Sequence, residues 1–176
     1  MKTLLILRHA KSSWNDPLLS DHDRPLNKRG KRDAPYIGEF LKRRQLVPDL
    51  ILSSTAKRAR KTSQAVAKAS GYDGTVEMIT SFYHSEPNTY ISQLADLPDI
   101  YQRVMVVGHN PTLEMLVTQL TNCFETMPTA AVAYVQLPIE NWRKLADSIT
   151  AGSIPGQLVQ LWRPKELVLD QSSISC

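Results

Sequence analysis

Leu4-Leu5-Ile6-Leu7-Arg8-His9-Ala10 is the stretch on which the reading of this chain turns. Four apolar residues in a row predict a short strand buried on both faces, the pattern of a central strand in a parallel sheet. An arginine and a histidine follow where the run ends. In open α/β sheets ligands bind outside the carboxyl ends of the strands, so a charged pair at that point can face a crevice instead of the core. Taken alone, an Arg-His pair after a strand is also what an ordinary surface offers. Two later stretches tip the balance: Ser53-Ser54-Thr55-Ala56-Lys57-Arg58-Ala59 and Val106-Val107-Gly108-His109-Asn110-Pro111.

The chain around these stretches alternates strands and helices. After the first strand, Lys11 to Asp23 has no sustained period and reads as a loop. Asn27 is a candidate N-cap for a helix over Lys28 to Arg44, with Pro35 and Gly38 expected to kink it or delay its start. Asp49 to Ser53 reads as a second strand. Ser54 or Thr55 then caps a helix running to about Ser70, with Gly71 at its C-terminal stop. Thr75 to Ile79 reads as a third strand, Phe82 to Asn88 as a loop and Thr89 to Leu97 as a short helix. Arg103 to Val107 is a fourth strand. Asn110 caps the next helix, Pro111 takes its first position, and Leu113, Leu116, Val117 and Leu120 form a helical stripe. Ala131 to Leu137 is a fifth strand, Ile139 to about Ile149 a helix, and Gly156 to Arg163 an edge strand. The alternation predicts a three-layer α/β/α sandwich with a mainly parallel central sheet.

The chain has 176 residues, 42% hydrophobic and 22% charged, which suits one globular domain over residues 1–165 followed by a tail over 166–176. No apolar stretch approaches a membrane span, and Arg8 ends the first apolar run too early for a signal peptide, so a cytoplasmic protein with no membrane partner is expected. Cys123 and Cys176 make no disulfide framework, and no Cys/His spacing suggests zinc. The net charge of +4 hides an asymmetry. Between Arg24 and Lys61 there are 12 Lys/Arg against 3 Asp/Glu, whereas the remainder carries 9 against 14. A basic half suits an acidic or phosphorylated partner, although Lys and Arg also cover ordinary solvated helix faces. No aromatic-interleaved patch or binding motif supports nucleic acid as a partner.

Arg8 and His9, Arg58, and His109 each follow a different strand at one expected edge of the sheet. Arg58 also falls in the first turn of its helix, where free backbone N–H groups and the positive dipole end favour an anion. Two guanidiniums and two imidazoles in one crevice would repel one another unless an anion bound among them, and arginine forks match phosphate oxygens. Phosphate or sulfate is therefore an expected ligand. One histidine must be neutral to act as a nucleophile, while the other is more useful protonated.

On Arg8-His9-Ala10, Ser53-Ser54 with Arg58-Ala59 and Thr62, and Gly108-His109-Asn110-Pro111, the sequence resembles the histidine phosphatase superfamily, also called phosphoglycerate mutase-like. Within it, Arg8-His9-Ala10-Lys11-Ser12-Ser13-Trp14 and His22-Asp23-Arg24-Pro25-Leu26-Asn27-Lys28-Arg29-Gly30 resemble the short SixA-type phosphohistidine phosphatases. The similarity spans roughly residues 1 to 165. It implies the phosphoglycerate mutase-like fold, no metal and no cofactor, and His9 as a nucleophile that becomes transiently phosphorylated. It further implies that Arg8, Arg58 and His109 hold the phosphoryl oxygens and that Asn15 adds a hydrogen bond to phosphate. Two departures stand out. The superfamily's usual Arg-His-Gly is Arg-His-Ala here. Glu86, the candidate general acid after the third strand, has no surrounding motif to anchor it and is equally readable as a solvated loop residue. A missing acid favours phosphohistidine over sugar phosphates, because an imidazole protonated on its distal nitrogen leaves as a neutral molecule. Short connections with no lid insertion point the same way, toward a phosphohistidine on a signalling or phosphotransfer protein. A small-molecule phosphomonoesterase of the same mechanism and a non-catalytic phosphate-dependent binding module are the alternatives.

Overall fold

In β1 (Lys2–Arg8) successive side chains point to opposite faces of the sheet, and both faces are apolar. Leu4 and Ile6 enter one core with Leu50, Leu52, Val104 and Val106; Leu5 and Leu7 enter the other with Ile51, Met105 and Val107. All four β1 residues are fully buried. Burying each such side chain contributes about 1.5–3 kcal/mol, so the strand is fixed by the two cores it joins. The computed structural model describes residues 1–153 and 156–167.

Among those residues the sheet has six strands in the order β3-β2-β4-β1-β5-β6. β2 (Leu50–Ser54), β3 (Glu77–Ile79) and β4 (Arg103–Gly108) run parallel to β1; β5 (Val132–Leu137) and the edge strand β6 (Gln157–Trp162) run antiparallel. Helices α1 (Lys28–Arg43) and α2 (Lys57–Ser70) cover one face through Ile37, Leu41, Ala59 and Val66. Helices α3 (Pro87–Ala95), α4 (Thr112–Thr121) and α5 (Arg143–Thr150) cover the other through Ile91, Leu94, Leu116, Leu120 and Leu145. The three-layer, mainly parallel sandwich is as expected. β1, β2 and β4 all end at the same edge, where Arg8 is level with Gly108 and Ser53 with Val107.

The element boundaries depart from expectation in informative ways. Neither Ser54 nor Thr55 caps α2; its N-cap is Ala56, without a side-chain hydrogen bond, because the Ser54 hydroxyl lies against His109 and that of Thr55 against His22. Asn110 does not cap α4, whose N-cap is Pro111; the Asn110 amide instead donates to Glu114 and to the Met127 carbonyl. Pro35 sits inside α1 without delaying its start, and Asn27 does cap that helix, accepting from the Gly30 N–H. Gly71 ends α2 at φ 76°, a left-handed conformation that glycine adopts without steric cost. α3 begins two residues earlier than expected and α5 four residues later, since Trp142 is drawn into the core before the helix starts. Asp21–Asp23 forms a one-turn 3-10 helix inside what reads as loop. Of the expected tail, Leu167 is buried against α1 and its carbonyl accepts from Tyr36; residues 168–176 lie outside the described part of the chain.

Candidate active site

His9 is the first residue past β1, and three backbone and side-chain contacts fix it there. Its N–H donates to the Gly108 carbonyl on the neighbouring strand. Its ring Nδ1 lies 2.8 Å from the Ala10 carbonyl, an oxygen that can only accept, so Nδ1 carries the hydrogen and Nε2 keeps its lone pair. The Ala10 N–H in turn donates to Thr62 Oγ1 at 3.0 Å, and the Thr62 hydroxyl donates to the Arg58 carbonyl at 2.7 Å. Thr62 thus ties the backbone next to His9 to the first turns of α2.

Arg58, second residue of α2, reaches over the free face of His9. Its Nε–H donates to His9 Nε2 at 3.2 Å. The rest of its fork holds Asp21 twice: Nη1 on the backbone carbonyl and Nη2 on Oδ2 at 2.9 Å. Tyr83 donates its hydroxyl to the same Oδ2 at 2.9 Å. His109 completes the group, its ring 5.0 Å from that of His9 and edge-on to Tyr83 at 5.7 Å. His109 Nε2 lies 2.9 Å from Ser54 Oγ, while His109 Nδ1 is buried with no partner among the described residues. Gly108 lets this turn lie against Tyr90, whose hydroxyl would collide with any Cβ at that position.

Arg8 stands beside this cluster. It is half-buried, donates Nη1 to the Met127 carbonyl at 2.7 Å and leaves Nε buried without a partner among the described residues. Burial lowers its pKa against an opposing pull from Glu114. Next to the cluster a cleft of about 480 Å³ is lined by Asp21, Arg58, Tyr83, His84, Glu86 and His109, among others. Glu86 therefore does reach the cleft, exposed at the N-terminus of α3 and without a hydrogen bond that would hold it. Asn15 is exposed in the loop after β1, its backbone N–H donating to Ser13 Oγ, and it does not line the cleft. His84 lines the cleft and His22 stacks edge-on against Tyr83.

The electrostatics differ from the sequence expectation of one charged imidazole. Burial pushes His9 down to about 4, with the Ala10 carbonyl opposing and Arg58 and Arg8 assisting. Burial, His9 and Arg58 push His109 down to about 3. Both rings are neutral in the free site at neutral pH. Partial burial alone would raise the Asp21 carboxyl, but the Tyr83 and Arg58 hydrogen bonds outweigh it and hold the group below its ordinary value. Desolvation, with Asp21 adding to it, raises Tyr83. The free site is thus two guanidiniums, one resident carboxylate and two neutral imidazoles, the His9 Nε2 lone pair accepting from Arg58. Asp21, Tyr83 and Ser54 were not singled out from the sequence as parts of the site. Asp21 immediately precedes the His22-Asp23-Arg24 motif, and Tyr83 shares the loop with Glu86, but nothing local marks either as facing Arg58.

A mainly parallel α/β sheet that gathers two arginines and two neutral imidazoles at one edge forms a cationic crevice suited to an anion. The family model of the histidine phosphatase superfamily (branch 1) matches residues 4–80. A chloroplast protein of Arabidopsis thaliana, itself without an assigned function, is 34% identical over 98% of this chain and 80% of its own length. A Mycobacterium tuberculosis protein, also uncharacterised, is 37% identical over 72% of this chain and 76% of its own length. The crystal structure of an Agrobacterium tumefaciens protein classed provisionally as phosphohistidine phosphatase SixA superposes with a TM-score of 0.75 at 31% identity, covering 93% of this chain and 98% of that one. The protein histidine phosphatase SixA complexed with tungstate superposes at 0.79, with 22% identity over 94% of this chain and 99% of that one, a likeness of fold. A shorter match, 41% over 63 residues, links 35% of the chain to a quarter of the 2,3-bisphosphoglycerate-dependent phosphoglycerate mutase of Streptomyces avermitilis. The chain belongs to the histidine phosphatase superfamily, with the phosphoglycerate mutase-like fold. Among the described residues no helix is long and apolar enough to cross a membrane.

Proposed function

We propose that the protein is a phosphohistidine phosphatase acting on a histidine of another protein, through a covalent intermediate on His9. The observation that carries this reading is the tautomer of His9: Nδ1–H spent on the Ala10 carbonyl, Nε2 bearing a lone pair directly beneath Arg58. In the first step Nε2 attacks phosphorus, the P–N bond to the substrate imidazole breaks, and its electron pair returns to the departing nitrogen. Arg8, Arg58 and His109 hold the transferring phosphoryl oxygens, the two guanidiniums offsetting their charge. Two of these groups have hydrogen-bonding capacity to spare, since Arg8 Nε and His109 Nδ1 have no partner among the described residues. In the second step water attacks phosphorus, the P–Nε2 bond breaks, and His9 recovers its lone pair as orthophosphate leaves. Burial of His9 serves both steps, because a base held to about 4 stays unprotonated at neutral pH and, being weakly basic, is a good leaving group when water attacks phosphorus.

The substrate class follows from what surrounds the nucleophile. Glu86 reaches the cleft but is exposed and unheld, a poor arrangement for protonating an alkoxide, whereas an imidazole needs no such help. Asn15, exposed in the loop after β1, is the neutral residue that would add a hydrogen bond to phosphate. The partner is a phosphohistidine-bearing protein, and a small phosphate ester is the competing substrate. The test is a turnover panel of a phosphohistidine protein, a sugar phosphate and an aryl phosphate, each with wild type and His9→Ala, together with rapid-quench trapping. The expected result is fastest turnover of the phosphoprotein, none in His9→Ala, and an acid-labile, base-stable phosphoryl adduct on His9. A sugar phosphate turned over far faster than the phosphoprotein would make this a small-molecule phosphatase. Near-normal activity in His9→Ala would remove His9 as nucleophile.

A further inference from the structure

The arginine fork that should receive a phosphoryl group already holds a carboxylate. We infer that Asp21 is the resident counter-anion of Arg58, a specificity-determining residue that an incoming phosphoryl group must displace and that retakes the fork as orthophosphate leaves; this rests on the reading of Arg58 as a phosphoryl ligand. Three observations support it. Asp21 Oδ2 lies 2.9 Å from Arg58 Nη2, while the Nε of the same guanidinium rests on the nucleophile, so the carboxylate stands where an oxygen bound for His9 must come. Arg58 is buried, yet the Asp21 side chain is half exposed, so this ion pair can open toward solvent without disturbing the core. Finally, the turn that carries Asp21 has bonds besides the side-chain ion pair: Arg58 Nη1 donates to the Asp21 carbonyl, and the Ser20 hydroxyl bonds the Asp23 carboxylate at 2.7 Å and accepts the Asp23 N–H. The turn therefore survives the loss of the Asp21–Arg58 side-chain contact.

Displacement leaves the carboxylate on Tyr83, whose hydroxyl is its second partner. Asp21 then sits at the mouth as a negative charge beside the bound phosphoryl group. Such a charge repels leaving groups that are themselves anionic, such as a phosphorylated hydroxy acid, and favours a substrate imidazolium that departs as neutral imidazole. The same competition lowers affinity for product, because orthophosphate has to hold the fork against a tethered carboxylate.

Orthovanadate, orthophosphate and an aryl phosphate test this without reference to the natural substrate. Asp21→Asn keeps the shape and removes the charge, and it is expected to tighten inhibition by orthophosphate and orthovanadate about tenfold, as loss of one charged competitor for a guanidinium allows. It should also lower KM for the aryl phosphate more than it changes kcat, and raise activity toward 3-phosphoglycerate relative to the aryl phosphate. Tyr83→Phe, which removes the partner that keeps the displaced carboxylate, is expected to shift the same constants the opposite way and by less. Asp21→Glu restores a carboxylate and should return inhibition toward wild type. Arg58→Ala should lose vanadate inhibition altogether. If wild type is inhibited by vanadate and Asp21→Asn is inhibited no more tightly, the role of Asp21 falls while the site stands. If vanadate inhibits neither wild type nor any variant, Arg58 is not a phosphoryl ligand, and both readings fall.

Discussion

Lowering the pH should cost this protein stability through its two buried imidazoles, by an amount that the structure fixes. In the unfolded chain a histidine titrates near its ordinary value; in the fold His9 is held to about 4 and His109 to about 3. Between those values only the unfolded chain binds the protons, so stability is fully present above the unfolded value and declines as the pH falls below it. For His9, going from about pH 7 to about pH 5 removes roughly 2 kcal/mol, and His109 removes about the same, giving roughly 4 kcal/mol for the pair. The two do not offset each other in this range, since neither is protonated in the folded protein at about pH 5. Equilibrium urea unfolding at the two pH values, on wild type and on the His9→Gln, His109→Gln variant, isolates the term, because every other titrating group is common to both. Wild type should lose about 4 kcal/mol more than the double variant, and each single variant should recover about half. Sulfate, a dianion across this range, should shrink the difference relative to sodium chloride of equal ionic strength by favouring charged His109 in the fold. A double variant as acid-sensitive as wild type would show that the imidazoles are not held neutral by burial, and the lone pair assigned to His9 would lose its basis.

Three further expectations test the scaffold around the site. Thr62→Val leaves the buried Ala10 N–H without its acceptor, which should cost about 1–3 kcal/mol in urea unfolding and lower kcat more than it raises KM. Gly108→Ala drives a methyl group into the Tyr90 hydroxyl, which should cost about 1–3 kcal/mol by thermal or urea unfolding and be partly rescued in combination with Tyr90→Phe; absence of rescue would mean that the clash lies elsewhere. The basic stretch should divide functionally: α1 is 16 residues long, so Lys42, Arg43 and Arg44 lie some 20 Å from the site edge, whereas Lys57, Arg60 and Lys61 open α2 beside Arg58. Charge reversal of Lys57, Arg60 and Lys61 should slow capture of a phosphoprotein and flatten its salt dependence, and reversal of Lys42, Arg43 and Arg44 should do neither.

What could be read from the sequence was whatever depends on periodicity along one element. The run Leu4 to Leu7 reads as a doubly buried strand because each of its side chains meets a covered face, and Gly71 reads as a helix stop because only its backbone conformation matters. The convergence of His9, Arg58 and His109 was legible for the same reason, since parallel strands must bring their carboxyl ends to one edge. Residues whose work lies across the fold were misread. Ser54 and Asn110 have the composition of N-caps, but each has a better partner 55 or 17 residues away, His109 and Met127 respectively. Asp21 was invisible because an aspartate in an irregular loop is ordinary until the guanidinium it faces is placed. The neutral nucleophile was expected, but the charge on the second imidazole was misjudged because burial is a tertiary quantity, and here desolvation outweighs every other influence on both rings.

One segment explains why the residues must be spaced as they are. From Ser54 to Thr62 the chain leaves a strand, turns once and completes the first turns of a helix, and along it three side chains serve three different parts of the site. Ser54, the last residue of β2, meets the His109 ring from the adjacent strand end. Arg58 and Thr62 are four apart and share one face of α2, so the arginine extends to His9 Nε2 while the threonine, one turn on, holds the Ala10 N–H that follows His9. Thr62 also returns its hydroxyl to the Arg58 carbonyl, making the two residues one unit. A residue inserted between Ser54 and Arg58 would rotate the arginine by about 100° away from His9, and one inserted between Arg58 and Thr62 would leave the Ala10 amide unpaired. The distance between nucleophile and phosphoryl ligand is therefore set by helix geometry in α2, while the nucleophile's tautomer is set independently by the backbone of Ala10.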